Sequence, residues 1–297
     1  MRSASIIAAA VLVTAAVVCR AADEADLNRQ VAADLRGFVE ISNVSGTVNV
    51  SGWDRPEVQV KGHLGAGVER VDVNTSKGRT SIKVVLPRMS MRSGEADLDV
   101  YVPKESEVDV TAVSADLVTK GLQGAQRLKT VSGNIRAELG GADFEGKTVS
   151  GNLTLRGNSK ESDMRVASIS GDVTLDRGAG EIDATSVSGT LRLELDPARS
   201  VRMRTTSGDL AFRGMLQRAA TLDAETISGD ATFRARSEAG FEYEATSFSG
   251  DLDNCFGKNA ESTSRHGPGT RLMGSTGDGK ARVRVKSMSG DVSLCDH

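Results

Sequence analysis

Aromatic side chains are almost missing from this chain: they make up 3% of its 297 residues, with one tryptophan, Trp53. That excludes a thick core built around large rings and points to thin layers of small apolar side chains. Histidine is equally sparse. His63, His266 and His297 are scattered, and no CxxC or HxxxH spacing accompanies them, so neither a metal site nor a metal cofactor is expected. A surplus of charge is absent too. The 37 basic and 40 acidic residues leave a net charge of -3, without the basic excess that marks nucleic-acid partners. Beyond Val18 there is no long apolar run, so the mature chain carries no transmembrane span. Proline, with 5 residues, is rare, whereas glycine, with 32, is plentiful.

The one apolar run, Ile6 to Val18, follows a positive Arg2 and ends near the small residues Cys19, Ala21 and Ala22. This is the pattern of a Sec-type secretory signal over residues 1–21, followed by a short polar lead over 22–29. A lipoprotein signal built on Cys19 is the alternative; Val18 sits where that signal needs a small residue. The chain is therefore expected to be exported, to the periplasm or cell envelope. Cys19 leaves with the signal. The two remaining cysteines, Cys255 and Cys295, are expected to form one disulfide in an oxidising compartment.

The mature chain repeats itself. "TVSGNLTL", "ASISGDVTLD" and "SVSGTLRL" follow one another. Aligned on the serine, the unit recurs at Ser45, Ser114, Ser132, Ser150, Ser170, Ser188, Ser207, Ser228, Ser249 and Ser289. From Ser114 to Ser249 the steps are 18 to 21 residues, and the last step is 40. Glycine follows the serine at Gly133, Gly151, Gly171, Gly189, Gly208, Gly229, Gly250 and Gly290, with Ala115 the exception. Next stands Asp, Asn or Thr, including Asp172, Asp209, Asp230, Asp251 and Asp291. An apolar residue precedes the serine in most copies, and a small hydroxyl precedes that. On both sides the sequence alternates with period two, as in "EIDATSV" and "FEYEATSF", which argues half-buried strands joined by Ser-Gly-Asp turns.

Strands at such spacing also occur in antiparallel sandwiches. There, however, each strand meets different neighbours, whereas stacking like on like requires the same residue types at the same positions. The expectation is therefore an all-β chain forming a parallel β-solenoid, a single-stranded and right-handed β-helix with 18–21 residues per coil. It forms one elongated domain over 30–297: less regular coils over 30–112, regular repeats over 113–252, and a C-terminal loop and cap over 253–297.

The repeated turns, the early "NVSGTVNVSGWDRPEV" and the closing "GDGKARVRVKSMSGDVSLC" make the chain resemble the bacterial "putative adhesin" family, also called domain of unknown function 4097. The resemblance spans nearly all of the mature chain. It implies a β-solenoid of an envelope or secreted protein, and supplies no catalytic residues.

No feature of the sequence specifies catalysis. Equivalent serines outside any G-x-S-x-G context are turn residues, not nucleophiles. The Asp column would suit a calcium ladder, but Asn134, Asn152, Thr47 and Thr190 share it, so turn capping is expected. "GSTGDGK" at 274–280 lacks the P-loop spacing. Arg282, Arg284 and Lys286 alternate along one strand, either as a basic stripe for anionic envelope polymers or as a solvated face. The function expected is a non-enzymatic, adhesin-like interaction or structural module, with an envelope protein or glycan as partner. The alternatives are a polysaccharide lyase or hydrolase on a β-helix, and an accessory or scaffold protein of an envelope stress system.

Overall fold

The computed structural model describes residues 25–87, 94–263 and 268–296. The expected signal segment lies outside them. Among the described residues there is no helix, and 22 strands join in one hydrogen-bonded sheet. Among the described residues no helix is long and apolar enough to cross a membrane.

Period two dictates which side chains go inside. In Val173–Ser188, the residues Val173, Leu175, Ile182, Ala184 and Ser186 are buried, while their neighbours face outward. Each regular repeat contributes one strand before the Ser-Gly corner and one after it, and both pair in parallel with the next repeat. After the corner, Val173 lies opposite Leu191, Leu191 opposite Leu210, and Leu210 opposite Ala231. Before it, Ile182 lies opposite Val201 and Val201 opposite Leu222. Ser170, Ser188, Ser207 and Ser228 consequently form one column. The repeats are rungs, named below by their serines.

The interior is one continuous apolar cluster from Val39 to Leu294. Small and large residues alternate along it: Val166, Ala184, Met203 and Ala224 occupy one inward column. Phe212 and Phe233 stack at 6.1 Å on adjacent rungs. Rungs about 4.8 Å apart bring like side chains into contact without large rings, which is why so aromatic-poor a chain can bury a core.

Stacking follows chain order in the middle and departs from it at both ends. The strand Phe38–Trp53, which carries Ser45, lies between Glu107–Lys120 on one side and Arg79–Val85 and Ala96–Pro103 on the other. Antiparallel strands Arg70–Ser76, Glu57–Leu64 and Ala25–Ala32 complete that end. At the other end, Ala281–Ser289 and Val292–Cys295 enter between the Ser228 rung and the Ser249 rung, pairing in parallel with both. The outermost cover is Thr270–Ser275, antiparallel to Phe241–Ser249, with Glu261–Ser262 beyond it. Residues 281–295 are therefore an interior rung, not the terminal cap expected for 253–297. Antiparallel cover at both ends masks strand edges that would otherwise accept another chain.

Candidate functional surface

Four columns of side chains build the corner. The first is glycine. A Cβ placed on Gly133, Gly151, Gly171, Gly208, Gly229, Gly250 or Gly290 would fall on the carbonyl of the corner residue one rung away, so these backbones pass too closely for any side chain.

The second is the Asp/Asn column, where each side chain accepts the backbone N–H of the same position on the next rung. Asn134 N–H donates to Asp116 Oδ1 at 2.8 Å, Asn152 to Asn134 at 3.1 Å, Asp172 to Asn152 at 2.9 Å and Thr190 to Asp172 at 2.8 Å. After the break at Thr190, Asp230 donates to Asp209 at 3.0 Å, Asp291 to Asp230 at 2.9 Å and Asp251 to Asp291 at 2.9 Å. An amide oxygen serves here as well as a carboxylate, which explains the mixture of Asp and Asn. Among the described residues no group of three His, Cys, Asp or Glu side chains could hold a metal ion.

The third column is the hydroxyls, which are buried. Thr130 Oγ1 donates to Ala115 O, Thr148 Oγ1 to Gly133 O, and Ser247 Oγ to Gly290 O, at 3.1–3.2 Å. The hydroxyls of Ser186, Thr205 and Ser287 are buried without a partner. The hydrogen bonds therefore join side chain to backbone between rungs, rather than one hydroxyl to the next.

The fourth column lies outside. Val113, Val131, Val149, Ile169, Val187, Ile227, Met288 and Phe248 are all exposed, from 38% at Val149 to 58% at Met288 and Phe248. In rung order they form one apolar stripe, interrupted by Thr206. The cause is parity: each sits one residue past an inward side chain, a hydroxyl in every case but Val113, which follows Ala112. Eight such side chains leave on the order of 500 Å² of apolar surface in one line, within the range of a monomer's largest patch, which is often functional.

Beside the stripe runs a charge ladder four residues upstream. In rung order it reads Asp109, Arg127, Glu145, Arg165, Asp183, Arg202, Asp223, Arg284, Glu244, alternating without a fault. Arg202 lies 3.7 Å from Asp183, and Arg284 lies 3.7 Å from Asp223 and 3.5 Å from Glu244. In chain order Glu244 would follow Asp223 directly, acid on acid. The Lys147 ammonium, 2.5 Å away, holds the Glu145 carboxyl below its ordinary range, helped by the Lys129 and Arg127 charges and opposed by burial. Arg282, Arg284 and Lys286 are thus not a free basic stripe: Arg284 is neutralised as described, and Lys286 lies 3.5 Å from Glu225.

Other candidate groups gather elsewhere. A shallow groove beside the rung connections collects Asp176, Glu194 and Asp196 with Arg213, Arg234 and Arg236. Trp53 and Tyr101, distant in sequence, stack at 5.4 Å, with the Arg55 guanidinium 5.0 Å from the Trp53 ring. This aromatic pair belongs to the Ser45 region and the groove to the Ser170–Ser228 rungs. Tyr243 is separate again, buried against Phe241 and Phe256, and burial raises its phenol pKa. Cys255 and Cys295 form a disulfide with Cα atoms 5.0 Å apart, joining the Ser249 rung to the inserted one.

Together these features define an all-β protein of stacked, in-register repeats. Residues 39–295 match the family model described as Toastrack DUF4097, and the chain belongs to that family. No curated protein matches it. Solved structures similar to it include a "putative lipid binding protein" from Parabacteroides distasonis, at 10% identity and TM-score 0.43, covering 90% of this chain and 96% of that one. Another is a "putative adhesin" from Bacteroides fragilis, at 11% identity and TM-score 0.36, with 92% and 98% covered. A "putative cell adhesion protein" from Clostridium sporogenes shows 10% identity and TM-score 0.28, with 92% and 99% covered.

Proposed function

We propose that this chain is an exported, non-enzymatic, adhesin-like module of the cell envelope, built as a single right-handed parallel β-solenoid with antiparallel strands at its ends, the first of them, Ala25–Ala32, beginning inside the segment expected as a polar lead. The apolar stripe from Val113 to Phe248 carries this reading. Isolated exposed hydrophobic residues need no explanation, but one on almost every rung, in line, offers the same weak contact many times over. A partner with its own repeat, an envelope protein or glycan, gains by multivalency what no single contact supplies. Membership in the family supports the reading.

The test is saturation binding of the labelled protein to isolated envelopes. The comparison is a Val149→Ser, Ile169→Ser, Val187→Ser triple variant, which keeps every inward side chain. The wild-type protein binds saturably, and the variant binds at least tenfold more weakly with an unchanged melting temperature. Equal binding by both, or no saturable binding by either, removes the proposal.

One observation favours a second reading, a glycan-processing enzyme: the groove that brings Asp176, Glu194 and Asp196 together with four arginines, Arg177, Arg213, Arg234 and Arg236. Against it, Glu194 and Arg213 face each other in plain strand register, as do Arg213 and Arg234, and the Trp53–Tyr101 platform lies rungs away. Release of unsaturated sugars from a uronate polymer would establish the enzyme and displace the adhesin-like reading.

A further inference from the structure

The end of the chain occupies a slot that the rest of the fold leaves open for it. From Ser132 to Ser228 each rung lies against the next one in sequence, but the Ser228 and Ser249 rungs, also consecutive in sequence, are held apart by Ala281–Ser289 and Val292–Cys295. The outward walls of the slot are acidic. Asp223 and Glu225 stand on one side, Glu242 and Glu244 on the other, and the inserted strand places Arg282, Arg284 and Lys286 opposite them in register. Its inward face is apolar, with Val283, Val285 and Leu294 fully buried. The slot is thus selective for a strand that alternates cation and apolar residue.

Two further features suit this segment to exchange. It enters through residues 276–280, where Gly277 and Gly279 have φ of 58° and 65°, backbone that glycine adopts freely, as in a hinge. It is also fastened by a surface disulfide: Cys255 is exposed and Cys295 half-buried. Exposed disulfides are open to thiol attack.

We propose that this slot is an exchangeable strand-binding site, and that a second copy of this chain can fill it with its own residues 281–295. Every contact of the inserted strand is then reproduced between copies, as in domain swapping. The fastening exchanges with it. A small thiol such as glutathione opens the bond of one copy, capping its Cys255 as a mixed disulfide and freeing its Cys295 thiolate; that thiolate attacks Sγ of Cys255 in the second copy, and the displaced Cys295 attacks the capped Cys255 and expels the small thiol, so two S–S bonds break, two form and no oxidant is consumed. Reciprocal exchange gives a dimer held by two such bonds, each presenting its apolar stripe.

The experiment uses the wild-type chain in light and heavy isotopic forms, mixed equally, reduced and unfolded, then refolded in a glutathione redox buffer over a wide range of concentration. Proteolysis and mass spectrometry identify the cysteine-linked peptides. At high concentration a disulfide-linked dimer is expected in which about half of the Cys255–Cys295 links join light to heavy, with Cys255–Cys255 links roughly tenfold rarer. Same-label links alone at every concentration, or Cys255–Cys255 links as abundant as mixed Cys255–Cys295 ones, overturn the proposal.

Discussion

Arg284→Glu tests the ladder that holds the inserted rung in place. The wild-type guanidinium lies 3.7 Å from Asp223 and 3.5 Å from Glu244, and its side chain is 40% exposed. Such half-exposed pairs contribute about 0.2–1 kcal/mol each after screening. The substitution removes two attractions and sets three carboxylates in a row, adding two repulsions of similar size. The sum is about 1–4 kcal/mol, which for a chain of this length lowers the melting temperature by roughly 2–8 °C. Urea melts at low salt and at 0.5 M NaCl give the assay, since salt screens exposed charges and should shrink the difference by half or so. A second change supplies the stronger check. Glu244→Arg in the Arg284→Glu background restores alternation on that side but gives up the 2.7 Å pair with Arg271, so the double variant is read by its coupling: it is less destabilised than the sum of the two single changes by about 1 kcal/mol. A loss indifferent to salt, or a double variant no better than the sum of its parts, refutes the electrostatic account of the insertion.

Three further outcomes follow from the corner columns. Gly171→Ala puts a methyl group against the Gly151 carbonyl and should cost about 1–3 kcal/mol in urea melts, while alanine at the exposed neighbour Ser170 changes stability by under about 0.5 kcal/mol. Thr148→Val loses the bond to Gly133 O and leaves that carbonyl short of a donor, costing about 1–2 kcal/mol; Ser186→Ala removes a buried hydroxyl that has no partner and should be neutral or stabilising. Glu145, whose pKa is lowered on folding, stabilises the fold above its unfolded pKa of about 4.3, and that contribution is lost as pH falls through the lower folded value. The stability gap between wild type and Glu145→Gln should therefore be full at pH 6 and close towards pH 3; a gap that is constant with pH contradicts this.

Much of the architecture was legible because the repeat is written position by position. The steps of 18–21 residues and the period-two strands around Ser170, Ser188 and Ser207 anticipate an all-β stack, and the ladders place these serines in one column. Parity held more than was taken from it. Ile182, Ala184 and Ser186 share the inward phase, so Val187, although apolar, points out. The stacking order at the ends was the hardest part. Every rung carries the same corner, so register cannot tell the Ser249 rung from the Ser289 rung as the neighbour of Ser228. The distinguishing signal was charge: Asp223 followed by Glu244 breaks an alternation that Arg284 restores. The contact between Trp53 and Tyr101 depends on the displaced Ser45 rung and had no local signal.

The order of rungs is the claim on which the ladder, the slot and the disulfide all depend, and paired cysteines test it most directly. Glu225 faces Lys286 in strand register, and Lys286 in turn faces Thr246. Adjacent rungs lie within disulfide reach, about 4.4–6.8 Å between Cα atoms, whereas positions two rungs apart, at roughly 9.6 Å, do not. Peptide mapping after mild oxidation should find a link in Glu225→Cys with Lys286→Cys and none in Glu225→Cys with Thr246→Cys. A link between positions 225 and 246 would mean that the rungs stack in chain order, contrary to this account.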